Sequence, residues 1–134
     1  MDAQNFVRHQ SGDSQDSSYA KTLHNYQSRL ESMRALVLVD MSQPEITQVN
    51  IGTLERDLSD IIGGLDRLRR IPDIDDFYPS LGEVLSNVRL ARRCLNIASG
   101  LREKASSLRY MEALYQKYDE FCDCLYEAIE LLNN

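Results

Sequence analysis

The amino-acid sequence predicts an all-α protein, either an antiparallel four-helix bundle or an elongated pair of helical hairpins with coiled-coil-like seams. Three observations predict it. Apolar residues recur at alternating spacings of three and four over most of the chain, the period of a helix with one buried stripe. Only three Pro and six Gly interrupt the sequence, so long helices meet few breakers. At 134 residues, 43% of them apolar and 27% charged, the chain can build one core and keep a solvated surface, and is too short for two ordinary domains.

Residues 1–16 are polar, rich in Ser, Asp and Gln, and without period, and are expected to be a flexible tail. A single helical domain is then expected over residues 17–134. Ser17 or Ser18 can N-cap a first helix of about residues 18–40. Its stripe is Tyr19, Leu23, Tyr26, Leu30, Met33 and Val37. The run ALVLV at its end is apolar on every side, so that end should be deeply buried or be an interface.

A second helix is expected over about residues 44–71. Ser42 and Glu45 have the spacing of a capping box, and Pro44 suits a first turn; a start as late as Asn50 is the other reading. Ile51, Leu54, Leu58, Ile61, Leu65 and Leu68 form the stripe. Gly63 and Gly64 fall mid-helix, which points to close helix–helix approach or a kink, or else to a hinge. IPDIDDFYPS then breaks the pattern, since neither Pro72 nor Pro79 fits a helix interior. Ile74, Phe77 and Tyr78 are expected to pack across the bundle end.

Ser80 and Glu83 form a second capping-box pair ahead of a helix of about residues 80–99, with Leu81, Val84, Leu85, Val88, Ala91, Leu95 and Ala98 inward. The register slips near Ser99-Gly100, either a stammer in one long helix or a turn. Gly100 suits a C-cap, and Ser106 or Ser107 a new N-cap. The last helix, about residues 106–132, carries the longest seam: Leu108, Met111, Tyr115, Tyr118, Cys122, Leu125, Ile129 and Leu132.

The residues point away from catalysis. No Ser-His-Asp set, Gly-rich phosphate loop or helical Glu-x-x-His pair is present, so no enzyme activity and no cofactor are expected. His24 is followed by Asn25, Tyr26, Gln27 and Ser28, without the Lys and Gly that follow a phosphoacceptor His in histidine phosphotransfer bundles. Cys122 and Cys124 sit two apart on a helix and point about 200° apart, so they cannot share one metal. Cys122 reads as a core residue and Cys124 as a flank thiol. Three Cys are too few and too odd for a disulfide framework, and no window is apolar enough for a membrane span. The first eighteen residues lack the apolar core of a secretory signal. An intracellular protein, cytoplasmic or nuclear, is the expectation.

Net charge is −6, which argues against an indiscriminate nucleic-acid binder. The charge is uneven, however. Residues 67–109 hold nine basic residues against five acidic; residues 110–134 hold one against six. The arginines can pair with the acidic last helix, or form a patch for anions. That last helix also carries Tyr110, Tyr115, Tyr118 and Tyr126, side chains favoured at interfaces. Ser14-Gln15 and Ser42-Gln43 are minimal kinase signals that nothing else in the chain supports.

The expected function is that of a non-catalytic helical protein–protein interaction module, a small subunit or adaptor that scaffolds a multiprotein assembly through coiled-coil-like packing, as a homo- or hetero-oligomer. The candidate partner contacts are Leu36, Val37, Val39, Tyr118, Phe121, Leu125, Ile129 and Leu132. The alternative is binding of nucleic acid or an anionic surface by Arg67, Arg69, Arg70, Arg89, Arg92 and Arg93.

Overall fold

The structure, a computed structural model, describes residues 3–43, 49–104 and 108–133, and for residues 3–17 the backbone alone. Among them are five helices and no strand: α1 Ala3–Met41, α2 Ile51–Arg69, a single turn α3 Ile74–Phe77, α4 Leu81–Glu103 and α5 Leu108–Asn133. The four long helices form one antiparallel bundle around one core, rather than two separate hairpins.

The order around the bundle is α1, α2, α4, α5, with each helix antiparallel to its neighbours. Between α1 and α5, Gln27 bonds Asn133, Arg34 Nε donates to the Cys122 carbonyl at 3.2 Å, and the Tyr115 hydroxyl donates to the Met41 carbonyl at 3.0 Å. The paired numbers run in opposite directions, as antiparallel helices require. Arg92 reaches Ser59 and Arg89 reaches Asp66 between α4 and α2. Arg29 of α1 closes the ring by bridging Asp57 and Asp60 of α2 at 2.9 and 3.0 Å. Partial burial of Arg29 works against its charge, but the two carboxylates outweigh it and raise its pKa.

The three-four stripes predicted most of the core, but in α5 Leu108 of the expected seam is 75% exposed, while Leu114 and Phe121, outside that seam, are enclosed. Leu30, Val37, Leu58, Ile61, Leu65, Val88, Leu95, Leu114, Phe121 and Leu125 are fully enclosed. Gly64 accounts for the mid-helix glycine pair. A Cβ there would lie 1.8 Å from the Tyr26 hydroxyl of α1, so the bare backbone lets the tyrosine cross it. Gly63 meets nothing closer than its own helix's Arg67, at 3.5 Å. Close approach, not a hinge, is what this geometry uses.

Several boundaries differ from expectation. Helical backbone begins at Ala3, well before Ser17 or Ser18. The start of α2 is Ile51, capped by the Asn50 side chain, which accepts from the Thr53 N–H at 3.1 Å. This is the later of the two expected starts; Pro44 and Glu45 of the proposed capping box lie outside the described residues. Ser80 precedes α4 without a side-chain cap bond, because its backbone (φ −91°, ψ 2°) is not the extended form that aims the hydroxyl at the helix. Gly100 lies inside α4, which continues to Glu103 and ends at Lys104; Ser106 and Ser107 lie outside the described residues.

In ALVLV only Val37 turns inward, while Leu36 and Val39 stand 57% and 60% exposed. Helical geometry places them about 100° and 200° from Val37, beyond the reach of the core. In the α2–α4 loop, Asp73 takes a left-handed backbone (φ 64°), which a short polar side chain tolerates. Ile74 is buried as expected, but Phe77 is 61% exposed and does not pack.

Candidate binding groove between α2 and α4

The outer faces of α2 and α4 border an open groove of about 790 Å³. From α2 come Gly52, Glu55, Arg56 and Ser59; from α4 come Arg89, Arg92, Arg93 and Asn96. Four arginines thus face one glutamate in a chain of net charge −6. On α4 these positions lie on one flank because 89, 92, 93 and 96 follow the three-four period, offset from the inward Val88 and Leu95.

The arginines are only lightly engaged. Arg92 donates to the Ser59 hydroxyl at 3.2 Å, and Arg56 reaches the Thr53 hydroxyl at 3.5 Å. Arg89 stands 3.7 Å from the Asp66 carboxylate. Among the described residues, Arg56, Arg92 and Arg93 have no carboxylate within ion-pair distance. Each guanidinium offers five N–H donors in a planar fork, so most of this capacity faces solvent and suits carboxylate or phosphate oxygens.

The six arginines singled out from the sequence do not form one cluster. Arg89, Arg92 and Arg93 line the groove. Arg70 pairs with Asp66 at 3.6 Å along its own helix, so Asp66 neutralises the stretch between Arg70 and Arg89. Arg69 lies against Gly82 at the start of α4, and Arg67 folds back over Gly63. No described carboxylate of α5 pairs with any of the six. The acidic helix stands diagonally across the bundle from α2, and Arg89, Arg92 and Arg93 lie on the flank of α4 that faces α2 rather than α5, so the expected neutralisation is absent.

The candidate partner contacts divide sharply. Val37, Tyr118, Phe121, Leu125 and Ile129 are buried in this chain's own core, which withdraws them from any surface partner. Leu132 is half-buried at the rim of a cavity of about 360 Å³ at the bundle end, together with His24, Phe77 and Leu131. Only Leu36 and Val39 are exposed. The four tyrosines share no face either. Tyr118 is enclosed, Tyr115 is tied to α1, and Tyr126 lies under the Arg34 guanidinium at 5.2 Å.

Two features were not foreseen. Arg56 joins the groove from outside the basic segment. Its signal was symmetry about the Pro72–Pro79 loop, since residues equally far from the loop centre, such as Ser59 and Arg92, face each other. The second is a polar cluster at one end of the core. Asp40 is buried, Arg102 donates to the Val49 carbonyl, and both act electrostatically on the Tyr118 hydroxyl. Burial raises the Tyr118 pKa, with Arg102 opposing and Asp40 adding to the shift.

Cys122 is buried and its thiol is pushed up to about 11, chiefly by burial. Among the described residues, no group of three or more His, Cys, Asp or Glu could hold a metal ion, and no helix is long and apolar enough to cross a membrane. The fold and the groove together define the class: a small antiparallel helical bundle with a basic outer groove. The chain matches no family model, no curated protein and no solved structure.

Proposed function

We propose that this chain is a non-catalytic interaction module that recognises an acidic segment of another protein in the α2–α4 groove, as a small subunit or adaptor would. The observation that carries the reading is the groove's uncompensated charge: Arg56, Arg92 and Arg93 lack carboxylate partners among the described residues, beside the weakly paired Arg89. Arg clusters of this kind recognise acidic motifs through charge-assisted, often bidentate hydrogen bonds. Ser59 and Asn96 add neutral polar groups, and Glu55 penalises a misplaced carboxylate, which favours one register over others. The apolar seams supply the rigid frame that holds the arginines in place.

The test is a titration of the full chain with a fluorescent Glu/Asp-rich peptide at several salt concentrations. Binding should weaken as salt rises and be lost in Arg92→Glu/Arg93→Glu, with the helical circular dichroism unchanged. Binding that ignores both salt and charge reversal would overturn the reading. So would preferential binding of a single-stranded oligonucleotide, which would instead favour the nucleic-acid alternative.

A further inference from the structure

The flank of α4 away from the groove carries a feature that acidic-segment recognition does not use. Cys94 of α4 and Cys124 of α5 are free thiols on the packed pair α4–α5, each half-buried against the core and each acting electrostatically on the other. We propose that Cys94 and Cys124 are an oxidation site that closes to a reversible disulfide stapling α4 to α5.

The packing of α4 on α5 is of the kind that admits such a bridge. A disulfide needs Cα atoms about 4.4–6.8 Å apart, closer than the usual 8–10 Å between helix axes. Facing side chains can meet that distance where small residues let the helices approach. Here Ala91 and Ala98 flank Cys94 at helical spacing, Ala128 lies one turn beyond Cys124, and all three alanines are fully buried. The α4–α5 pair is the most extensive in the bundle. Cys122 cannot compete, because it turns into the core while Cys124 stays on the flank.

The reaction is thiol–disulfide exchange with a small disulfide oxidant such as oxidised glutathione. One thiolate attacks the oxidant, releasing one glutathione thiolate and leaving a mixed disulfide. The second thiolate displaces the other glutathione. Two protein thiols become one disulfide, and one glutathione disulfide becomes two glutathione thiols.

Burial raises both pKa values, that of Cys124 to about 11. Glu120 and Asp123 of α5 work in the same direction, on both thiols and on Cys124 respectively. Lys117 of α5 and Arg93 of α4 oppose it at Cys94. Thiolate is therefore scarce at neutral pH, and closure accelerates as pH rises. Three cysteines do not make a constitutive framework, and half-burial leaves the bridge open to reductants, so it forms and breaks with the redox state.

The experiment is incubation of the full chain with oxidised glutathione at pH 7 and pH 9, followed by intact-mass measurement and peptide mapping. The expected product has lost two hydrogens, links Cys94 to Cys124, forms faster at pH 9, melts higher and reverts with dithiothreitol. Cys94→Ser and Cys124→Ser should each abolish the link and Cys122→Ala preserve it, with circular dichroism confirming that each variant folds. Stable glutathione adducts without a bridge, no product at all, or a link through Cys122 would overturn the proposal.

Discussion

The two flanks of α4 are built on opposite rules. Toward α5 the helix presents Ala91, Cys94 and Ala98, small side chains that let two backbones close together. Toward α2 it presents Arg89, Arg92, Arg93 and Asn96, long polar side chains that hold an open groove. Burial governs the first flank, where every added atom must displace a neighbour. Solvation governs the second, where side chains keep their freedom and their charge. One helix thus joins a structural seam to a surface for recognition, and substitutions on its two sides should behave differently.

The largest effect should come from the interior that both flanks depend on. Phe121→Ala removes a fully buried ring and should cost about 3–5 kcal/mol in urea unfolding. A cost below about 1 kcal/mol would mean α5 is not packed as described.

Alkaline pH probes the same interior. The Cys122 thiol titrates at 9.0 ordinarily and about 11 in the fold. Between those values the unfolded chain loses its proton while the fold retains it, so stability is full below about pH 9 and falls through about pH 11, by about 2 kcal/mol. Urea midpoints measured under reducing conditions should show this decline, and Cys122→Ala should make it shallower, leaving the share of Cys94, Cys124 and Tyr118.

The flanks themselves can then be set against each other. Ala98→Leu overfills the tight side and should cost about 1–3 kcal/mol. Arg93→Ala on the open side should stay within about 0.5 kcal/mol of the parent chain. Equal costs would erase the distinction between the flanks.

The smallest pair lies on α2. Gly63→Ala should stabilise by about 0.5–1 kcal/mol, since its Cβ meets nothing tight and helix propensity improves. Gly64→Ala, where the Cβ meets Tyr26, should destabilise instead. Thermal melts of both variants check the opposite signs.

What the sequence disclosed follows the same division. Stripe residues such as Leu54, Leu58 and Leu65 were legible because burial imposes a period that propensity and loops do not disturb. The ends were less legible. Ser80 has the residue pattern of a cap, yet capping depends on a backbone angle set by the preceding Pro79 loop. Gly100 resembles a terminator, but α4 continues through it.

The site was legible only in part. Arg89, Arg92 and Arg93 were found from charge density along the chain, whereas Arg56 enters through the fold, across an antiparallel pair. Tyr118, Leu125 and Ile129 have the seam pattern whether the partner helix is internal or foreign. Sequence spacing therefore could not separate core from interface at those positions, and enclosure by α1 and α4 does.

That enclosure is the central claim, and concentration dependence tests it directly. Light scattering on a dilution series, paired with thermal melts at each concentration, should give a 15.4 kDa particle whose cooperative melting midpoint does not move. A midpoint that falls on dilution, with a heavier particle at high concentration, would show that the α5 seam is completed by a second molecule and would contradict the account.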